Sequence, residues 1–479
     1  MKFLSLKNCL ALLACILSQA AWAETVVQTE QLLLSFDERG QLLSAQACFP
    51  DCTAGTAARL DLVHDLGLAS FENHPEGEWQ SSEEQLSGAK QLDFKGPDEM
   101  TLRWTIPDSG YALGLEAMGL GALTLQAGEG FRAREAPGFG EWLEQVRYLA
   151  VDPGNIRQVS LDDSETAELS AEWVGFRSRF WAVLLTADSP VPFQVQTAEG
   201  NLDPILVSQA TPETMNWHFY LGPVERESLS AADELLADVM YAGLWFWLRW
   251  ICIFLAMLLG WIQSVVLAWG PSIMLLSVCV GVLMLPLSRL ADQVQQQVHQ
   301  TEARLAPELA RIKREFKGEE QAAKIIAYYK TERVHPLYSL KSLLGVAIVI
   351  PVFIGAFDML AENIHLMNTS FLWIADLSRP DHLFSLPVEL PFFGSGFNLL
   401  PFLMTGLSVW ASLLHKPLAL QADLRKSQVR NMILLAAAFF VLFYTFPAGM
   451  VLYWATNNLI SVVKNLWNNM ATRRAQAGL

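Results

Sequence analysis

The chain has 479 residues, of which 52% are hydrophobic and 17% charged, and its formal net charge is −16. That acidity argues against nucleic acid as a partner, while the positive mean hydropathy leaves room for a soluble domain plus several membrane spans. The charge is uneven: the first half is strongly acidic, and basic residues gather at two internal loops and the C-terminus, as in a membrane-oriented protein.

Residues 1–23 read as a signal peptide. Lys2 and Lys7 form a positive start, Cys9 to Ser18 a short apolar stretch, and Ala21-Trp22-Ala23 a small-residue cleavage site before Glu24. Leu12-Leu13-Ala14-Cys15 also loosely resembles a lipoprotein cleavage box, so processing after Ala23 and processing at Cys15 both stay open. Either way Glu24 starts outside the inner membrane.

Residues 24–230 are expected to form an exported all-β sandwich. Short strand-like runs recur at Val26 to Phe36, Glu99 to Ile106, Arg179 to Leu185 and Pro192 to Gln196. Turn-forming clusters such as Asp37-Glu38-Arg39-Gly40, Asp108-Ser109-Gly110 and Asp152-Pro153-Gly154-Asn155 separate them. Its acidic face reads as solvated surface, since the carboxylates lack EF-hand-like spacing. Of six cysteines, Cys48 and Cys52 face an oxidising compartment, where a short-loop disulfide competes with free thiols; a zinc site lacks further ligands nearby. Cys252 and Cys279 lie in apolar surroundings and read as inert.

Residues 231–268 form a helical lead-in followed by an aromatic-rich stretch, Tyr241 to Leu267, with Trp245, Phe246, Trp247, Trp250 and Trp261. By length it could span. A span here would place every later basic loop outside, so the expectation is an amphipathic helix lying in the interface, with Arg249 in its first half.

Residues 269–465 are expected to hold five spans: Pro271 to Ser288, Ser342 to Phe357, Phe397 to Leu414, Asn431 to Thr445 and Met450 to Val463. The first two flank a polar hairpin at 289–341, broken at Lys317-Gly318, with an apolar stripe of Ala291, Val294, Val298, Leu305, Leu309 and Ile312. Its Lys and Arg, and those at Arg425, Lys426 and Arg430, place both loops in the cytoplasm. Residues 466–479 then form a cytoplasmic tail. Hydroxyls and amides at Ser277, Thr405, Ser408, Ser412, Thr445, Thr456, Asn457 and Asn458 lie within or close to the spans. They serve either interhelical hydrogen bonding or the lining of a hydrophilic groove. No P-loop, catalytic triad or metal cluster is visible, so no enzyme chemistry and no cofactor are expected.

Several segments in order and spacing resemble the YidC-type membrane protein insertases of the Oxa family, in their Gram-negative form. They are Trp269-Gly270, Pro286-Leu287, Val334-His335-Pro336-Leu337, Ile350-Pro351-Val352-Phe353, Phe371 to Leu377 (FLWIADL) and Phe446 to Trp454 (FPAGMVLYW). The sandwich resembles the family's more weakly, through Glu30 to Leu43 and Glu172 to Pro190. The resemblance implies a five-helix core enclosing a groove open to the cytoplasm and to lipid, with Ser277, Gly281, Thr405, Ser408, Trp454 and Asn457 as its candidate lining. It implies nascent membrane proteins and the lipid bilayer as partners, with the Sec translocon and the ribosome as candidates. The family's groove arginine, five residues before the proline matching Pro286, falls here on Gly281. Lys341 is the nearest substitute cation. The glycine pair and cysteine after the Asn-Pro-Leu-like motif are replaced by Tyr338-Ser339-Leu340, and a cleavable leader is a third departure. The chain therefore reads as a divergent insertase. The alternatives are a periplasmic binding or assembly factor anchored by the membrane core, and a transporter, against which no inverted repeat appears.

Overall fold

The computed structural model describes residues 25–54, 57–63, 68–72, 74–127, 131, 137–160, 168–189, 191–196, 204–209, 214–335, 338, 343–414 and 422–476. The signal peptide expected at 1–23 lies outside them. Two compact units result: residues 1–243 with 362–368, and residues 244–361 with 369–479.

The first unit is an antiparallel sandwich. Its strands begin with β1 (Thr25–Gln28), β2 (Leu32–Phe36), β3 (Leu42–Phe49), β4 (Ala58–Val63), β5 (Ala69–Phe71) and β6 (Gln80–Leu86). They continue with β7 (Ala89–Lys95), β8 (Thr101–Pro107), β9 (Ala112–Met118), β10 (Leu123–Gln126), β11 (Arg147–Asp152) and β12 (Asn155–Ser160). The last are β13 (Glu168–Leu169), β14 (Trp173–Arg177), β15 (Trp181–Ala187), β16 (Phe193–Gln196), β17 (Ile205–Ser208) and β18 (Thr214–Pro223). One sheet runs β1-β2-β3-β5-β10-β17-β16-β13, with β4 also paired to β3; the other runs β12-β11-β14-β15-β18-β9-β8-β7-β6.

Alternation drives the layering. On β8, Leu102, Trp104 and Ile106 point inward, and Leu113, Leu115 and Ala117 do so on β9. The Trp104 ring packs on Phe36 and Phe219 at 5.3 and 5.7 Å, and its Nε1 donates to Gly40 O at 2.9 Å. The run Val26 to Phe36 splits into two strands, because Thr29 N and Oγ1 both donate to Leu32 O around a tight turn. Gly40 takes φ +84 in the β2–β3 turn, where Asp37 Oδ1 accepts from the N–H of Arg39 and of Gln41.

β14 is buried on both faces. The helix α1 (Arg226–Ala232) and the 3-10 turn at Glu234–Val239 are its cover: Leu229, Leu236 and Val239 join the core, and Asp233 Oδ2 accepts from Trp173 Nε1 at 3.0 Å. The compact unit therefore extends past the expected end at 230, to Gly243. It also takes in residues 362–368. Ile364 and Met367 enter its core, Glu362 pairs with Arg177 at 2.9 Å, and Asn368 Nδ2 donates to Ala57 O at 3.2 Å.

The second unit is helical: α2 (Phe246–Val266), α3 (Trp269–Leu283), α4 (Leu285–Glu315), α5 (Gly318–Thr331), α6 (Leu343–Ala361), α7 (Leu400–Leu414), α8 (Ala422–Phe443) and α9 (Ala448–Gln476). Before α7 stands a two-stranded hairpin, β19 (Phe384–Leu390) with β20 (Gly394–Phe397). α9 packs against α3, α6 and α7; α2 packs against α3 and α6, and α8 against α7. The break between α4 and α5 falls at Phe316 and Lys317, with Gly318 at φ +64. Of the expected stripe, Val298, Leu305 and Ile312 are buried at heptad spacing, and Ala291, Val294 and Leu309 are half-buried.

Among the described residues five full-length apolar spans do not appear. Among the described residues α2 alone is long and apolar enough to cross a bilayer. The pair α3 plus residues 285–291 of α4 passes together with a 52° bend, and Ile350–Ala361, Leu400–Leu414 and Ile433–Phe443 are shorter. In three of the helices the sequence shows what interrupts the apolar run. Pro286 has no N–H to return to residue 282, so the helix bends there. Arg425, Lys426 and Arg430 occupy the start of α8, and Asn457, Asn458 and Asn465 dilute α9. The stretch expected to lie in the interface is α2. Its Leu248, Cys252, Leu255, Leu259 and Ile262 are buried, Phe246, Trp250, Met257 and Trp261 are exposed, and Arg249 Nε donates back to Leu244 O.

Candidate functional site

Three segments far apart in sequence meet at the end of the helical unit where α3, α7 and α9 begin. A Cβ at Gly270 would stand 2.2 Å from the Phe371 ring, so only glycine lets that ring close over the first turn of α3. Residues 371–377 form a tight loop, with Phe371 and Ile374 exchanging backbone hydrogen bonds at 2.9 Å. Two carbonyls around its exit satisfy the first N–H groups of α9: Gly449 donates to Leu377 O at 2.8 Å, and Ala448 to Arg379 O at 2.7 Å. Pro447 needs no such acceptor. The buried Asp381 Oδ2 receives Trp373 Nε1 at 3.0 Å and the Leu400 N–H at 2.8 Å, which caps α7. Asn398 Nδ2 donates to Tyr444 O, and Tyr444 Oη to Gly396 O. This end is closed by backbone and carboxylate hydrogen bonds.

One to about three turns further along the helices the chemistry changes. Ser277 on α3 and Thr405 on α7 bury their hydroxyls without a hydrogen-bond partner among the described residues. Neighbouring hydroxyls behave otherwise: Ser272, Thr456 and Ser461 each donate to the carbonyl four residues back, at 2.7, 2.8 and 3.0 Å. A buried hydroxyl with no partner costs about 1–3 kcal/mol. Gly281 lies one turn from Ser277 on the same face of α3, and a Cβ there meets nothing within 4 Å. Ser408 and Asn457 are half-buried on α7 and α9.

Trp454 sits differently from the other five. Its ring lies 4.5 Å from Phe353 and 6.1 Å from Phe443, and Phe446 bridges Phe443 and Phe357 at 5.6 and 5.3 Å. It belongs to an aromatic cluster that joins α6, α8 and α9. Lys341, the expected substitute cation, lies outside the described residues.

Sequence reasoning missed a ladder. Asn458, Asn465 and Asn469 donate from one face of α9 to Met404 O, Ala411 O and Leu414 O of α7, at 3.1, 2.8 and 3.0 Å. Ala411 and Leu414 lie in the last turn of α7, whose carbonyls lack intrahelical donors. The heptad spacing of Asn458 and Asn465 was the available signal.

In the sandwich, Cys48 and Cys52 are joined by a disulfide with a Cα–Cα distance of 5.0 Å. A cavity of about 490 Å³ there is lined by Asp152, Glu172, Asp188, Val174, Leu185 and Phe193, among others.

Residues 261–475 match the family described as 60Kd inner membrane protein. Membrane protein insertase YidC of Syntrophobacter fumaroxidans is 28% identical over 337 residues, 67% of this chain and 58% of that protein. Its namesake from Marinomonas sp. is 32% identical over 255 residues, 52% of this chain and 41% of that protein. The chain spans about half the length of the curated relatives it matches. A crystal structure described as an active YidC insertase with its first transmembrane domain resolved aligns over 96% of this chain and 98% of that one, at 17% identity and a TM-score of 0.34.

Proposed function

We propose that this chain, whose residues 261–475 match the 60Kd inner membrane protein family and which is similar to the YidC insertases above, moves client transmembrane helices into the inner membrane along a hydrophilic groove between α3, α7 and α9. The observation that carries the reading is the pair of unpaired buried hydroxyls, Ser277 and Thr405, on the two helices that flank α9. A polar group at membrane depth that declines its own helix's carbonyl is matched to water or to a polar client segment.

In this reading α3 with the start of α4, α6, α7, α8 and α9 are the five spans. The sandwich lies in the periplasm, and the α4–α5 hairpin and the C-terminus lie in the cytoplasm. The charges agree: Arg289, Lys313, Arg314, Lys317 and Lys324 fall on the hairpin side, and Lys464, Arg473 and Arg474 beyond the last span. α2 lies along the interface with its tryptophan face in lipid. α7, at 15 residues, is about 22 Å long against a hydrocarbon core of about 30 Å. A short, partly wet wall lowers the barrier for the polar part of a client, while its apolar helix passes into lipid alongside. The end built from Gly270, Phe371 and Asp381 closes the groove toward the periplasm, so entry is cytoplasmic. Ser408 and Asn457 extend the polar lining, Gly281 brings no cation at its own position, where Lys341 is the candidate substitute, and Trp454 braces its wall. The clients are nascent membrane proteins; the Sec translocon and the ribosome are the partners to test next.

A photocrosslinking residue at Ser277 or Thr405 should capture a nascent membrane protein during its synthesis in inverted inner-membrane vesicles. Capture only from probes at the sandwich cavity, such as Asp188, would replace this reading with a periplasmic assembly factor.

A further inference from the structure

β19 is rich in apolar side chains with little covering them. Phe384, Leu386, Val388 and Leu390 are interleaved with Ser385, Pro387 and Glu389, and the pairing with β20 shifts register between Ser385 and Leu390, so the apolar groups are shared between both faces of the hairpin. Apolar strand surface is normally packed against a second layer. Here Phe384, Val388 and Leu390 are 51%, 63% and 42% exposed, and no described residue of the helical unit buries them. A lone two-stranded hairpin showing this surface is marginal in water and prone to self-association.

We propose that the β19–β20 hairpin rests in the headgroup–acyl boundary of the periplasmic leaflet and anchors the closed end of the helical unit to the bilayer. This inference rests on the reading that α7 spans the membrane. Lipid is the occupant because the apolar surface is continuous with that helix. Phe384 stacks on Phe397 at 4.8 Å, Phe397 stacks on Phe402 at 5.3 Å, and Phe402 and Leu403 are exposed on the first turn of α7. Between positions 383 and 397 the one charge is Glu389. The strand edges set the depth. Unpaired backbone groups exclude the hairpin from hydrocarbon, whereas headgroups and interfacial water satisfy them, and Pro387 removes one donor from the outer edge. The hairpin is held at its base, where Leu383 donates to Phe397 O at 2.8 Å and Tyr444 Oη to Gly396 O at 3.0 Å, and at its turn, where the Phe393 ring meets Tyr444 at 5.0 Å.

The test uses the full chain, with Cys9, Cys15, Cys252 and Cys279 replaced by alanine, in phosphatidylethanolamine–phosphatidylglycerol vesicles. Val388→Cys, Glu389→Cys and Leu403→Cys each receive an environment-sensitive fluorophore. The Val388 probe should be quenched about threefold more by shallow doxyl-labelled lipid than by aqueous iodide, with a smaller ratio at Glu389, the hairpin's one charged position. The Leu403 probe reports the span itself. Lipid quenching at Leu403 with iodide quenching at Val388 would overturn the hairpin's placement and leave the span reading intact. Iodide quenching at both positions would remove the two together. Efficient crosslinking of Val388→Cys between two copies would assign the face to a second chain instead of lipid.

Discussion

The two units bury their tryptophans in opposite senses. In the sandwich Trp104 and Trp217 are 1% exposed, each set among other rings. In the helical unit Trp250 and Trp467 are 69% and 70% exposed, while hydroxyls such as Ser277 lie inside. On the proposed membrane reading, one polypeptide answers to two solvents. Water drives apolar side chains inward in the sandwich. Lipid removes that drive, so the helical unit is held by close packing and polar contacts.

Four measurements would break or sharpen that contrast, the largest effect first. Trp104→Ala removes a buried ring and its hydrogen bond to Gly40 O and should destabilise the sandwich by about 3–5 kcal/mol in urea unfolding. Trp261→Ala, at an exposed position of α2, should leave the melting temperature in detergent unchanged. Equal losses from the two changes would erase the contrast. In the helical unit the sensitive places are close approaches. Gly270→Ala drives a methyl into the Phe371 ring and should cost about 1–3 kcal/mol, with partial rescue by Phe371→Leu in a thermal melt.

Protons give the third test, on the sandwich side. His74 packs on Trp79 at 4.7 Å, and burial, with the charge of Arg39 adding to it, lowers its pKa from 6.5 to about 4. The folded state thus holds this ring neutral where the unfolded chain protonates it. Its stabilising contribution is complete above pH 6.5 and is lost as pH falls toward 4. The slope is at most about 1.4 kcal/mol per pH unit, less after solvent screening, and His74→Gln should flatten it when Trp79 fluorescence follows unfolding. Smallest is Asn465→Ala. It unties one rung between α9 and α7 and should cost about 0.6 kcal/mol in detergent, the ordinary scale of interhelical hydrogen bonds in membranes. A loss of several kcal/mol there would mean that the ladder, rather than packing, holds these helices together.

Much of this was legible in the residues, and the rest was hidden for physical reasons. The hairpin break beside Gly318 and the inward face at Val298, Leu305 and Ile312 follow from period and glycine alone. Cys48 and Cys52 are close enough in sequence to pair without help from the fold. The split of Val26 to Phe36 depends on one threonine turn, and periodicity does not register it. The rungs from Asn458, Asn465 and Asn469 end on backbone carbonyls 54 or 55 residues earlier, and a carbonyl leaves no mark in the sequence. Phe384 and Val388 are apolar residues in a strand-like run, so composition cannot tell that they are exposed. For the groove, Ser277 and Thr405 were readable as polar residues in apolar runs; that they refuse their own helices' carbonyls needed coordinates.

The β unit is discontinuous: Ile364 and Met367 complete its core although residues 244–361 intervene. On the topology proposed above, that late segment reaches the unit only after α6 has been made, so the last two contributors to its core are translated well after its own final strand, β18.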